Sequence, residues 1–320
     1  MLLNIIFLIA GLIILTYGAD LLVDGGAALA HRMKVSAMVI GLTIVAFGTS
    51  APELVVNIVS SAKGSSALAL GNVMGSNIFN ILAILGVTAL SVPVGIRKTT
   101  ARVEIPLSIF AASLVLFFVY VNRSGDISRA EGVCLLCAFV LFLAYTLALA
   151  KYGDSGEEVE IKNFSTGKSL FFIVAGLAGL IAGGHLLVTE AVQIARDLGI
   201  SERVIGLTVV SIGTSLPELA TSVIAARKKN ADIAIGNVIG SNLFNTFLIL
   251  GTSAVIAPLK APAGGTTDLW VNLAATLLLF LFILTGKGRR LNRWEGGVFL
   301  VLYLGYLLFI LNARWFDFIR

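Results

Sequence analysis

Gly48-Thr49-Ser50-Ala51-Pro52-Glu53 decides the fold. These six residues lie inside an apolar run, roughly 35–62, that is long enough to cross a bilayer as a helix, for which about 20 residues suffice. They break the rules of such a helix three times. Gly48 gives up helix propensity and Pro52 removes a backbone donor. Glu53 sets a carboxylate where insertion scales penalise charge by about 2.5–3.5 kcal/mol. Interrupted backbone at membrane depth is tolerated where it lines a cavity within the protein. The stretch then recurs as Gly213-Thr214-Ser215-Leu216-Pro217-Glu218. Paired interruptions at matching places in two similar halves are the sequence pointer to a transport site near the bilayer midplane.

The recurrence extends in both directions at a constant offset of 165 residues. Gly71-Asn72-Val73-Met74-Gly75-Ser76-Asn77 matches Gly236-Asn237-Val238-Ile239-Gly240-Ser241-Asn242, and Asn80, Gly86 and Pro93 match Asn245, Gly251 and Pro258. Gly41 matches Gly206, and Leu21-Leu22-Val23 matches Leu186-Leu187-Val188. Near the end the register slips by one, so that Arg129, Glu131 and Gly132 match Arg293, Glu295 and Gly296.

Composition agrees with a membrane chain: 58% of the 320 residues are hydrophobic and 13% charged, against about 45–50% and 25% in soluble domains. Ten apolar runs are long enough to span, at 3–29, 35–62, 67–92, 103–121, 130–150, 169–195, 202–226, 231–257, 268–286 and 294–313. The expected fold class is therefore an all-α polytopic membrane protein with ten transmembrane helices. The first repeat occupies 1–150, a cytoplasmic linker 151–168, and the second repeat 169–320. Five spans per half is an odd number, so the halves lie upside down relative to each other, an inverted-topology repeat. A net charge of +5 would suggest nucleic acid in a soluble protein. Here the cations sit in short connections, and with the N-terminus outside, fifteen of the 23 Lys and Arg residues fall on inside loops. That bias predicts both termini outside. The linker acids Asp154, Glu157, Glu158 and Glu160 lack EF-hand spacing and read as a solvated connector. Cys134 and Cys137 lie within an apolar run, where packing is the expected role. His31, among Arg32 and Lys34, reads as a loop residue.

The repeated motif has a chemistry. A helix broken at Gly48 and restarted near Pro52 frees the Gly48 carbonyl, because proline cannot donate to it. Thr49 and Ser50 add hydroxyl oxygens and Glu53 adds charge. These are hard oxygen donors of the kind Ca²⁺ takes six to eight at a time, and sodium also accepts them. Soft metals would want Cys or His, which are absent from the motifs. Ser50-x-x-Glu53 and Ser215-x-x-Glu218 also fit a capping box. In each half the following span adds Ser76 and Asn80, or Ser241 and Asn245, four residues apart and so on one helix face. Asn72, Asn77, Asn237 and Asn242 supply further amides, expected to face the Glu-bearing spans across the pseudo-twofold axis. Gly71-x-x-x-Gly75 and Gly236-x-x-x-Gly240 are small-residue motifs for close helix packing. Asp20 and Asp24 match His185 and Thr189, so the repeat fails there, and Glu190 matches Gly25.

The two G-T-S-x-P-E stretches, each followed by G-N-x-x-G-S-N-x-x-N, resemble the paired α-repeats of the cation/calcium exchanger superfamily, most closely its prokaryotic sodium/calcium exchanger branch. The resemblance covers nearly the whole chain. It implies alternating access, with the first and sixth spans sliding across a core made by the other eight. It also implies that Thr49, Ser50, Glu53, Ser76 and Asn80 bind ions together with Thr214, Ser215, Glu218, Ser241 and Asn245. Members of the branch can carry Asp where this chain has Asn245. Here both matching positions are amides, so Glu53 and Glu218 alone give the site its formal charge of −2. One Ca²⁺ neutralises that charge, as would two Na⁺ or two H⁺.

The expected function is a secondary antiporter, not an enzyme, that exchanges Ca²⁺ for Na⁺ in the cell membrane. It would have no cofactor beyond the transported ions and no nucleic-acid or obligatory protein partner. A proton/calcium antiporter of the same fold is the alternative, since two buried glutamates could trade protons directly. A channel would need a continuous pore. An intramembrane enzyme would need a nucleophile–base pair rather than Thr, Ser and Asn around each Glu.

Overall fold

The computed structural model describes residues 2–121, 125–152, 164–198, 211–260, 266–286 and 288–319. Its helices are α1 (Leu2–Met33), α2 (Ala37–Thr49), α3 (Ala51–Ala62), α4 (Ser66 to Ser91), α5 (Lys98–Val121) and α6 (Arg129–Tyr152). There follow α7 (Thr166–Asp197), α8 (Ser211–Gly213), α9 (Leu216–Arg227), α10 (Ala231–Ile256), α11 (Thr266–Thr285) and α12 (Arg293–Ile319). Four two-residue strands lie between helices: β1 (Val94–Gly95), β2 (Asp126–Ile127), β3 (Leu259–Lys260) and β4 (Arg290–Leu291).

Among the described residues, eight helices are long and apolar enough to cross a membrane. A ninth span arises if α2 and α3, bent by 48° across Ser50, are one broken helix. The expected span 202–226 begins outside the described residues and continues as α8 and α9. Most of the expected linker, including Asp154, Glu157, Glu158 and Glu160, also lies outside them, as does Gly206. His31 is not a loop residue: α1 runs on to Met33 and holds it in its last turn.

Two helices occupy the centre. Nearly all of α4 and α10 is buried, whereas in the most apolar stretches of α1, α6, α7 and α12 between 17% and 28% of the residues are buried, as in helices facing lipid. Packing contacts come in pairs that match at the offset of the sequence repeat. On α1, a Cβ added at Gly18 would lie 2.7 Å from the Leu180 backbone nitrogen, and one at Gly11 would lie 2.8 Å from that of Leu187. On α7, Gly176 and Gly183 are as tight against the backbones of Leu22 and Leu15. Glycine thus brings α1 and α7 into backbone contact along most of their length. In the same way α6 packs on α10 through Gly132 against Gly251, and α12 packs on α4 through Gly296 against Gly86. Strand β1 pairs antiparallel with β4, and β2 with β3. Each of these contacts joins the first half of the chain to the second.

Two packing expectations change. Gly236 and Gly240 do meet the backbone of α2, at Gly41 and Leu42, but among the described residues nothing lies within 4 Å of a Cβ added at Gly71. Cys134 and Cys137 are free thiols on the exposed face of α6, so they do not pack in the core as expected.

Candidate functional site

The two motifs meet at the middle of the molecule. Helix α2 ends at Thr49 and α3 begins at Ala51, so the chain breaks at Ser50, two residues past Gly48. The break between α8 and α9 falls at Thr214 and Ser215. Pro52 and Pro217 occupy the first turn of the restarted helices, where a missing N–H costs nothing. Glu53 and Glu218 sit in the same turns. There the free N–H groups and the helix dipole favour an anion, which helps hold a carboxylate inside the protein.

Both glutamates are 1% exposed, and each is held by the opposite half. Ser215 Oγ donates to Glu53 Oε1 at 3.1 Å, and Ser50 Oγ donates to Glu218 Oε1 at 3.0 Å. Thr49 Oγ1 donates to Asn237 Oδ1 at 3.1 Å, and Thr214 lies at the second break beside Ser215. Ser76 lies 3.4 Å from Ser215 Oγ, and Ser241 Oγ is 3.5 Å from Glu218 Oε1. The capping-box alternative fails on this geometry. Neither Ser50 nor Ser215 caps its own helix, because both hydroxyls point across the interface.

Asn80 and Asn245 lie one turn further along α4 and α10, each at the start of a π-helical stretch, Phe79–Ile84 and Phe244–Ile249. The N–H of Leu85 bonds to the Asn80 carbonyl and that of Leu250 to the Asn245 carbonyl, five residues back in each case. Such single turns re-aim side chains and are frequent at functional sites. Asn80 Nδ2 donates to Asn242 Oδ1 at 2.9 Å, and Asn245 Nδ2 donates to Asn77 Oδ1 at 3.1 Å. All ten residues expected from the sequence thus fall on the two helix breaks and the two central helices, and all but the half-buried Thr214 are buried.

Four oxygens of these ten residues are buried without a donor from any described residue: Glu53 Oε2, Glu218 Oε2, Asn80 Oδ1 and Asn245 Oδ1. They form two matched pairs at the repeat offset. An unsatisfied buried acceptor costs about 1–3 kcal/mol, more if it is charged. Four acceptors on facing helices, two of them carboxylate, have the chemistry of a cradle for a hard cation.

One buried neighbour, Asn57, was not singled out in the sequence. Asn57, fully buried four residues beyond Glu53, donates to the Ala69 carbonyl at 3.0 Å and to Ser253 Oγ at 3.2 Å, and accepts from Asn72 at 2.7 Å. Its spacing from Glu53 was the available signal. Asn237 accepts from Thr49 at 3.1 Å and donates to the Glu218 carbonyl and to Ser222. Asp20 and Asp24, which break the repeat, share one cation: Lys228 Nζ lies 2.7 Å from Asp20 Oδ1 and 2.6 Å from Asp24 Oδ1. The three residues tie α1 to the end of α9.

A bundle of apolar helices around paired, internally facing breaks, with buried oxygens between them, has the architecture of a membrane transporter. Comparison with known proteins agrees. The family model for the sodium/calcium exchanger protein matches the chain twice, over residues 3–148 and 168–312. CaxA of Alkalimonas amylolytica is 42% identical over 98% of this chain and 100% of its own. The sodium/calcium exchanger MaX1 of Methanosarcina acetivorans is 36% identical over 95% of this chain and 97% of its own. Among solved structures, the sodium-calcium exchanger NCX_Mj soaked with Na⁺ and Sr²⁺ superposes with a TM-score of 0.82 at 34% identity, covering 96% of this chain and 98% of that one. The chain belongs to the sodium/calcium exchanger protein family.

Proposed function

We propose that this protein is a secondary antiporter that exchanges Ca²⁺ for Na⁺ by alternating access at one central site. The ligands are Thr49, Ser50, Glu53, Ser76 and Asn80 with Thr214, Ser215, Glu218, Ser241 and Asn245. In this reading the chain makes ten spans as two inverted five-helix repeats, 1–150 and 169–320, joined by an inside linker at 151–168, with both termini outside. The cell membrane is its place. The Escherichia coli relative YrbG, 34% identical over 99% of this chain, is named as an inner membrane protein, which supports that.

The observation that carries the reading is the set of four donorless buried oxygens on Glu53, Glu218, Asn80 and Asn245. Bringing Glu53 and Glu218 together uncompensated would cost several kcal/mol per ion. Ca²⁺ offsets that cost, and so do two Na⁺, but not both at once. An unloaded site therefore resists the conformational switch, while a loaded one permits it, and exchange is favoured over leak. A second reading rests on the same two carboxylates. Their charge of −2 is equally satisfied by two protons, which would make the protein a proton/calcium antiporter.

The test is radiocalcium uptake into sodium-loaded liposomes holding the purified protein. Glu53→Gln and Glu218→Gln are each expected to reduce uptake to background. Uptake at the wild-type rate in either variant would remove the carboxylates from the mechanism.

A further inference from the structure

An asparagine can serve a cation only with its oxygen, since the other end of the amide is a donor pair that repels positive charge. Asn80 and Asn245 must therefore be held the right way round, and the hydrogen bonds around them set the direction. The backbone carbonyl of Asn77 can only accept. Asn242 Nδ2 donates to it at 3.3 Å. That leaves Asn242 Oδ1 at the other end of its amide, where it accepts from Asn80 Nδ2 at 2.9 Å. With its Nδ2 turned toward Asn242, Asn80 presents Oδ1 at the opposite side of its amide, and this oxygen is buried without a donor from any described residue. The matched chain runs through Asn77. Its Nδ2 donates to Thr246 Oγ1 at 3.0 Å, and its Oδ1 accepts from Asn245 Nδ2 at 3.1 Å, leaving Asn245 Oδ1 free of donors. Asn77, Asn242 and Thr246 are all buried.

We infer that Asn242 and Asn77 are positioning residues, which turn the amides of Asn80 and Asn245 so that a carbonyl oxygen, rather than an amide N–H, faces the transported cation. The inference rests on the ion site proposed above. Each positioning residue comes from the opposite half to the ligand it sets, so the ligands of the two central helices are oriented jointly. Asn242 has the firmer role, because its chain starts from a backbone carbonyl whose polarity is fixed.

The test is Ca²⁺ binding by titration calorimetry on the purified full-length protein. Asn242→Leu removes the acceptor for Asn80 Nδ2 and is expected to weaken Ca²⁺ binding about 10–100-fold, the usual effect of losing a partner that orients a metal ligand. A carboxylate presents an oxygen whichever way it turns. In an Asn80→Asp background, Asn242→Leu is therefore expected to change affinity by no more than about threefold. A purely structural role for Asn242 would give the same loss in both backgrounds, and that result, or no loss in either, would overturn the inference. If Asn242→Leu is not recovered as a folded protein, the twin cycle of Asn77→Leu with Asn245→Asp carries the same expectation. Glu53→Gln is titrated alongside. Undiminished Ca²⁺ binding in that variant overturns the site, and the positioning roles with it. Lost binding in Glu53→Gln together with equal losses in the two backgrounds overturns the positioning roles alone.

Discussion

Of the ten proposed ligands, Glu53 and Glu218 are the only carboxylates, and the other eight are neutral. The residue that tests this charge balance is Asn245. Asn245→Asp raises the formal charge to −3, which a third Na⁺ would satisfy. The half-saturating sodium concentration for calcium exchange is expected to fall about tenfold, equivalent to about 1.4 kcal/mol. Unchanged sodium dependence would show that the charge count does not govern coupling. The carboxylates were legible in the sequence because an acid inside an apolar run is costly wherever it falls, and this one falls twice. The direction of the amides was not. It depends on which atom of Asn242 meets the Asn77 carbonyl, a contact between residues 165 apart that no spacing rule encodes. Nor did the sequence show that Cys134 and Cys137 point outward, since an apolar run has no face until its neighbours are known.

Helices set these residues through two kinds of local departure. One is the break at Ser50 and its counterpart at Ser215, which turn hydroxyls across the interface. The other is the π-helical turn at Asn80 and Asn245. The break was readable from Gly48 and Pro52, to within two residues, because glycine and proline have known effects on a helix. The π-helical turns carry no comparable mark and appear only when the helix is packed. Glycines act at the same scale, and they divide into two groups. A Cβ at Gly18 would meet the α7 backbone at 2.7 Å. Gly18→Leu is thus expected to force α1 from α7 and destabilise the protein by about 1–3 kcal/mol. Gly71 meets nothing within 4 Å among the described residues. Gly71→Ala is expected to leave stability unchanged or raise it by up to about 1 kcal/mol, since alanine is the better helix former. Thermal unfolding of the two variants in detergent checks both. An equal loss in each would mean that these contacts are not where α1 and α7 hold together.

At the scale of the molecule, reciprocity is the organising feature. Helix α6 packs on α10 as α12 packs on α4, and β1 pairs with β4 as β3 pairs with β2. Ser50 reaches Glu218 as Ser215 reaches Glu53. The sequence foretold this in its matched motifs, and the positions of the described long helices follow the apolar runs to within a few residues. Reciprocity fails at Lys228, which binds Asp20 and Asp24 where the matching Lys63, His185 and Thr189 are all exposed. Like-for-like motifs could not reveal that contact, because it joins residues that the repeat does not share. The central claim is that the two buried glutamates trade Ca²⁺ for Na⁺. Its most direct test is radiocalcium uptake into liposomes holding the purified protein, under an outward sodium gradient and, separately, an outward proton gradient. The account predicts uptake driven by sodium and none driven by protons alone. Uptake driven by protons and indifferent to sodium would contradict it and make Glu53 and Glu218 proton carriers.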